Sequence, residues 1–364
     1  MPISLTMESP LGARMQIGGR SVDYFCGTSY FCLHGHQDVI NAACEATRQY
    51  GLGAGTLARM PVYEDLHQRL RKWFATDDVV TLISGYSAPA ALLQGLRDDF
   101  DVVFVDEGTH YSTRDALAAL VKPIFRFRHL DPESLELTLS RNLKKGQRAL
   151  IATDGVFPSS GALAPLSEYR HVMNAYGDCL LFVDDSHGVG VLGPTGQGSL
   201  QIAELGQRGN YVAGTLSKAF GSLGGFLPVD NSVAQKVREK AMILRGASLP
   251  PPSAAAAAIA AMQILETQPI MRANLARNVR HIRHGLRQLG FAIDESPVPI
   301  ISVRGDFDME HLRSELARRD IIVKITPPRG YSDAPDAPTL RLAVFSQHTT
   351  HQIDNLLSQM RSVL

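Results

Sequence analysis

The chain has 364 residues, with 36 Lys and Arg against 36 Asp and Glu for a formal net charge of zero, 45% apolar residues and 20% charged residues. That composition excludes a disordered chain, and zero net charge provides no whole-molecule field to recruit nucleic acid or an anionic membrane, so a small-molecule substrate is expected. Four cysteines, Cys26, Cys32, Cys44 and Cys179, show no Cys-x-x-Cys spacing, which points to reduced thiols in a cytoplasmic protein. The opening MPISLTMESPLGARMQIGG carries no apolar run of signal-peptide length, and no later stretch reaches the roughly 18 to 20 apolar residues of a membrane span.

Between residues 80 and 230, short apolar runs alternate with helix-period segments: VVTLIS, DVVFVDE, RALIATD, CLLFVDD and YVAGTLS read as strands. Continuously apolar strands separated by helices predict an α/β fold with a mostly parallel sheet covered on both faces. Most of these runs end in an acidic or hydroxyl residue followed by a loop, so the site is expected at the carboxyl ends of the strands.

LPPPSAAAAAIAAMQILE follows, with Ser253 as the expected N-cap of a strong helix. An amphipathic helix over 271–289 comes next, then strands around PIISVR, IIVKI and TLRLAVF, and a last helix with Thr349 and Gln352 in capping-box spacing. On the 271–289 helix, Arg280, Arg283 and Arg287 line one edge. Such an edge is usually a solvated face; a docking patch for coenzyme A phosphates or an acidic carrier is the other reading. The proline-rich loop TPPRGYSDAPDAP is expected near the site.

Two motif readings are set aside. GLGAG follows the helix-like NAACEATRQY rather than a strand and lacks the G-x-G-x-x-G spacing, which excludes a dinucleotide loop. Cys32, His34 and His36 share a face if extended, but no second ligand pair lies nearby in sequence, so no metal is expected.

The stretch GTLSKAFGSLGGF sets Lys218 just beyond a strand end among small residues. A lone lysine there would be an exposed turn residue. This one has company: CLLFVDDSHGVGVLG brings Asp184 at a strand end and His187 three residues on. A carboxylate and an imidazole at that spacing suit two edges of one planar heterocycle, and pyridoxal phosphate requires an acid at its ring nitrogen and a lysine for its aldehyde.

VDDSHGVGVLGPTGQG followed by GTLSKAFGSLGG resembles the α-oxoamine synthases, pyridoxal-phosphate enzymes of fold type I that condense an amino acid with an acyl thioester. GRSVDYFCGTSYFCLHGHQDV, YGLGAG, SGYSAPAAL, DEGTHYS, DGVFPSSGALAPL, SLPPPSAAAA and LRLAVFSQHT match in order, so the resemblance spans most of the chain. It implies a large domain with a mostly parallel seven-stranded sheet over 46–245, a smaller α+β domain over 246–364 and an N-terminal segment over 1–45. It makes Lys218 the Schiff-base lysine, Asp184 the partner of the ring nitrogen, His187 the neighbour of the ring oxygen and His110 the residue stacked on the ring. Ser84, Gly85, Tyr86 and Thr215 fall at the phosphate, Ser217 among the cofactor-binding residues, Ser248 at the phosphate of a second subunit in a homodimer, and Thr28 and Arg341 at the substrate, with Arg341 on its carboxylate.

The implied reaction joins an amino acid to an acyl-coenzyme A or acyl carrier protein thioester, with loss of carbon dioxide, to give an α-amino ketone. Other chemistry of the same cofactor on a small amino acid (aldol cleavage, decarboxylation or amino transfer) and an inactive supporting subunit are the alternatives. Four places depart from the family pattern: Thr28 stands for an asparagine, Leu57-Ala58-Arg59 for a Gly-Ser-Arg type of segment, Pro89 for an asparagine and Pro158 for a serine.

Overall fold

The computed structural model describes residues 6–55 and 58–364; residues 1–5 of the predicted N-terminal segment and Leu57 of the Leu57-Ala58-Arg59 departure lie outside them. The hairpin of β1 (Arg14–Ile17) and β2 (Arg20–Tyr24) turns through Gly18 and Gly19 at φ 56° and 73°. Two consecutive positive φ values are what a two-residue type I′ turn demands, and glycine meets them without steric cost. Helices α1 (Gln37–Tyr50) and α2 (Pro61–Phe74) follow.

An alternating run then builds the large sheet. Its elements are β3 (Asp78–Leu82), α3 (Ala88–Gly95), β4 (Val102–Asp106), α4 (Tyr111–Ala118), β5 (Ile124–Phe127), α5 (Pro132–Asn142), β6 (Ala149–Asp154) and α6 (Leu166–Asn174). They continue with β7 (Leu180–Asp184), α7 (Ser199–Ile202), β8 (Asn210–Thr215), β9 (Gly225–Val229) and α8 (Asn231–Lys240). The seven strands lie in the order β3-β9-β8-β7-β6-β4-β5, with β9 antiparallel to both neighbours and the other pairs parallel.

Every residue of β4, β6 and β7 is buried. Alternate side chains divide between the two faces: Phe104, Ile151 and Leu181 join one apolar cluster, while Val103, Leu150 and Leu180 join another. The second cluster is closed by Leu92, Leu117 and Val237 of α3, α4 and α8. Helices thus cover both faces, as continuously apolar strands require.

The remaining elements are α9 (Ile243–Gly246), α10 (Pro252–Thr267), α11 (Ile270–Gln288), β10 (Ile300–Val303), α12 (Met309–Arg318), β11 (Ile321–Ile322), β12 (Lys324–Thr326), β13 (Thr339–Ala343) and α13 (Thr350–Val363). Strands β10, β13 and β12 form an antiparallel sheet, and β11 joins the N-terminal hairpin by pairing parallel with β2. IIVKI, expected as one strand, is therefore split between two sheets at Val323. The capping box at α13 is present, with Gln352 N–H donating to Thr349 Oγ1 at 3.2 Å and Thr349 N–H to Gln352 Oε1 at 2.9 Å. Among the described residues, no helix is long and apolar enough to cross a membrane.

Two expectations are corrected. Helix α10 starts at Pro252 with Pro251 as its N-cap, so Ser253 lies inside the first turn; proline at the first helical position sacrifices only an N–H that has no intrahelical acceptor. Arg283 is not part of a solvated edge, being only 3% exposed. Its guanidinium donates to Asp294 Oδ1 at 2.5 Å and to the carbonyls of Val298 at 3.0 Å and Ile300 at 3.1 Å, tying α11 to the approach of β10. Arg283→Ala leaves these buried carbonyls without a donor and is expected to cost about 3 kcal/mol of stability, read as a fall in the urea unfolding midpoint at constant slope.

Candidate active site

Parallel strands that end level with one another bring distant residues together. Ser84 follows β3, His110 follows β4, Asp154 ends β6, Asp184 ends β7 and Thr215 ends β8, with Lys218 three residues on. A cavity of about 200 Å³ at these ends is lined by Ser84, Tyr86, His110, Asp184, His187 and Lys218. Gly85, Thr215 and Ser217 also line it, as do Ser112, Asp154 and Pro158. A larger cleft of about 750 Å³ between Trp73, Leu192 and Arg272 contains none of the predicted site residues.

The Lys218 amine makes no hydrogen bond or ion pair among the described residues. Burial lowers its pKa to about 8, with Asp184 and Asp154 pulling the other way. Attack of this amine on an aldehyde is therefore expected to rise with a midpoint near pH 8 instead of 10.5, measured as the rate of imine formation against pH; a midpoint near that of free lysine contradicts the burial argument. The folded chain binds this proton less tightly than the unfolded one. Lys218 therefore costs stability below about pH 8, and that cost is relieved as pH rises from about 8 to 10.5.

Asp184 Oδ1 accepts from the Ser186 N–H at 3.2 Å and Oδ2 from the Ser112 hydroxyl at 3.2 Å. Asp154, beside it on the neighbouring strand, accepts from the His110 N–H at 3.1 Å. Burial, then the charge of Asp184, pushes the Asp154 carboxyl well above the usual range. His187 is buried with Nδ1 2.6 Å from the Tyr30 hydroxyl, and burial drives its pKa well down, so the ring is neutral. His110 occupies the N-cap position of α4, and burial lowers its pKa too.

Ser84, Gly85 and Tyr86 form the turn that enters α3, where the first helical N–H groups have no intrahelical acceptors. Thr215 Oγ1 accepts from the Ser217 N–H at 3.2 Å and lies 3.2 Å from the Ser217 hydroxyl. The glycines let these segments meet: a Cβ on Gly85 would sit 2.7 Å from Thr215 Oγ1, and one on Gly225 would sit 2.2 Å from the Ser84 carbonyl. Gly221, at φ +59°, leaves room for the His34 amide, which a Cβ would approach to 2.7 Å.

Arg341 is buried on β13. Its Nε–H donates to the Pro158 carbonyl at 2.8 Å, leaving both Nη groups without a hydrogen bond among the described residues. Pro158 thus orients Arg341 through its carbonyl. Tyr86 is half exposed and donates its hydroxyl to Asp115.

Two predicted residues stand outside the cavity. Thr28 is half-buried and does not line it. Ser248 is exposed in a separate cleft with Ala54, Gly55 and Arg245. Sequence reasoning passed over Tyr30, Ser112, Asp154, Tyr331 and Asp333. Asp154 was visible as an acidic strand end, and Tyr331 and Asp333 sit in the proline-rich loop that was expected nearby; Tyr30 carried no signal.

A buried, unpartnered amine, a carboxylate, a neutral imidazole and a hydroxyl-rich helix entry in one small cavity fit the aldehyde, ring nitrogen, ring oxygen and phosphate of pyridoxal phosphate. The aminotransferase class I and II family profile matches residues 28–360. An 8-amino-7-oxononanoate synthase from Nitrosococcus oceani is 32% identical over 98% of this chain and 96% of its own. Among solved structures, serine palmitoyltransferase from Sphingomonas wittichii superposes with a TM-score of 0.90 at 26% identity, covering 100% of this chain and 92% of that one. A serine palmitoyltransferase carrying pyridoxal phosphate gives 0.89 at 26% identity over the same shares. With this sequence match, fold and cavity, the chain belongs to the aminotransferase class I and II family, as a pyridoxal-phosphate-dependent enzyme of fold type I related to the α-oxoamine synthases.

Proposed function

We propose that this enzyme condenses an amino acid with an acyl thioester, carried by coenzyme A or an acyl carrier protein, and that carbon dioxide is lost to give an α-amino ketone. The observation that carries the reading is Lys218, unpartnered beside Asp184, His187 and His110 in one cavity. The named relatives support it.

Pyridoxal phosphate, when bound, would supply an electron sink that makes the α-carbon of the amino-acid substrate acidic. Lys218 would hold its aldehyde carbon, Asp184 its ring nitrogen, His187 its ring oxygen and His110 its ring face. Ser84, Gly85, Tyr86, Thr215 and Ser217 receive the phosphate. Asp184, braced by Ser112 and Ser186, would hold a proton on the ring nitrogen. His187, neutral and held by Tyr30, offers Nε2 to the ring oxygen without adding charge.

Lys218, with its pKa near 8, takes the α-proton and returns it near neutral pH, where neither direction is strongly uphill. The free Nη groups of Arg341 grip the substrate carboxylate in a fork, with Nε already fixed by Pro158. Thr28 contributes to the substrate pocket from beyond the cavity wall. The enzyme acts as a homodimer in which Ser248 of one copy reaches the phosphate of the other, a role that its exposed position outside its own cavity supports.

The test incubates purified enzyme with each amino acid in deuterated water, with and without acyl thioesters of both carriers. One small amino acid is expected to exchange its α-proton, and addition of the right thioester to yield the ketone and carbon dioxide. Absence of exchange with every amino acid contradicts the reading.

A further inference from the structure

The loop between β12 and β13, residues 327–338, is fastened to the site by one carboxylate. Asp333 is buried and accepts from the Ser159 N–H at 2.9 Å, the Ser160 N–H at 2.8 Å and the Ser160 hydroxyl at 2.7 Å. Hydrogen bonds to an ionised acceptor are the stronger kind, so this clasp fixes the loop against the turn that follows β6. Two residues earlier, the Tyr331 ring lies 5.5 Å from the His110 ring and 5.7 Å from the Tyr111 ring.

Three tyrosines surround His110, and their hydroxyls differ. Tyr86 donates to Asp115, and Tyr111 makes only ring contacts with His110 among the described residues. Tyr331 places its hydroxyl 2.8 Å from His110 Nε2. On the other side of the ring, Nδ1 is 2.7 Å from Ser112 Oγ, which is 3.2 Å from Asp184 Oδ2.

The acceptor at the end sets the direction of the line. A carboxylate only accepts, so the Ser112 hydroxyl donates to Asp184; Ser112 Oγ then accepts from His110 Nδ1–H, and Nε2 is left to accept from Tyr331. The Ser112 N–H, 3.2 Å from Nδ1, is the donor that the opposite tautomer would use.

We propose that Tyr331 is a positioning residue that acts through His110: its hydroxyl holds the imidazole in place as the Nδ1–H tautomer, at the head of a line of donors running Tyr331, His110, Ser112, Asp184. The inference rests on the reading of the cavity as a pyridoxal-phosphate site, where the ring so held meets the cofactor face. The loop thereby couples the small C-terminal sheet to the carboxylate that faces the ring nitrogen.

Ring nitrogen-15 NMR of the cofactor-free protein tests this, with the His110 signals assigned by their loss in His110→Gln. Wild type is expected to show a protonated Nδ1 and an acceptor Nε2. Tyr331→Phe removes only the hydroxyl; both His110 signals should move toward the opposite tautomer, with pyridoxal phosphate bound roughly three- to tenfold more weakly, the worth of one hydrogen bond. Asp333→Ala, which unfastens the loop and leaves His110 and Ser112 in place, should move the same signals in the same direction. An Nε2–H tautomer in wild type, or unchanged His110 signals and affinity in Tyr331→Phe, overturns the proposal. Wild-type protein that shows the expected His110 signals yet binds no pyridoxal phosphate overturns the functional reading instead, and with it the role given to Tyr331.

Discussion

Lys218→Ala is expected to bind pyridoxal phosphate without covalent attachment and to lose turnover by a factor on the order of 10² to 10⁴, the range carried by a positioned acid–base group. The variant removes the amine proposed to take the aldehyde and the base proposed to move the α-proton, two roles for one side chain. It should fold normally. The Lys218 amine makes no hydrogen bond among the described residues, and its burial lowers the pKa to about 8, which marks the charged form as unfavourable there. Taking away a buried, unpaired ammonium relieves strain on the apoprotein, so Lys218→Ala should be at least as stable as wild type below about pH 8 and lose this advantage as pH approaches 10.5. Turnover near that of wild type contradicts the assignment; loss of turnover together with loss of fold leaves the stability argument wrong.

The second large effect is expected at Asp184. Asp184→Asn keeps the shape and removes the charge proposed to hold a proton on the ring nitrogen, so exchange of the substrate α-proton should fall by a factor on the order of 10² to 10³, as when one electrostatic stabiliser is removed from a site. A structural readout accompanies it. The charge of Asp184 is one cause of the raised Asp154 carboxyl, so Asp154 should titrate at lower pH in the variant. Exchange rates close to wild type contradict the role. An unmoved Asp154, followed by carboxyl carbon-13 signals, contradicts the coupling between the two strand ends.

Much of the large sheet was legible because parallel strands buried on both faces are written as unbroken apolar runs. VVFVD, LLFVD and ALIATD leave no polar face to hide. Strand β9 was not legible. GFLPV carries a proline, which donates no ladder bond, yet Pro228 pairs with Val79 of β3 inside the sheet. Strand β5, IFRF, lies at the edge and alternates with exposed residues, so it resembles a loop. The first hairpin was missed although Gly18-Gly19 between two alternating segments is a direct signal for a type I′ turn.

The candidate site divides in the same way. That Lys218, Asp184 and His187 come together was readable because each lies at or just past the end of β7 or β8. Arg283 misled, since helical periodicity places it beside Arg280 and Arg287 but cannot register the carbonyls of Val298 and Ile300 that the chain later brings to it. Tyr30, Tyr331 and Asp333 reach the site from opposite ends of the chain, through pairings of β2 with β11 and β12 with β13 that no local pattern announces. Their partners, His187, His110 and Ser159, lie more than 150 residues away in sequence.

The central claim is that the cavity at the strand ends holds pyridoxal phosphate on Lys218. Borohydride reduction of the protein loaded with pyridoxal phosphate, followed by digestion and peptide mass mapping, tests it most directly. The account predicts one phosphopyridoxyl group, on Lys218 in the peptide that contains GTLSKAFGSLGGF. A label on another lysine, or none after loading, would contradict it.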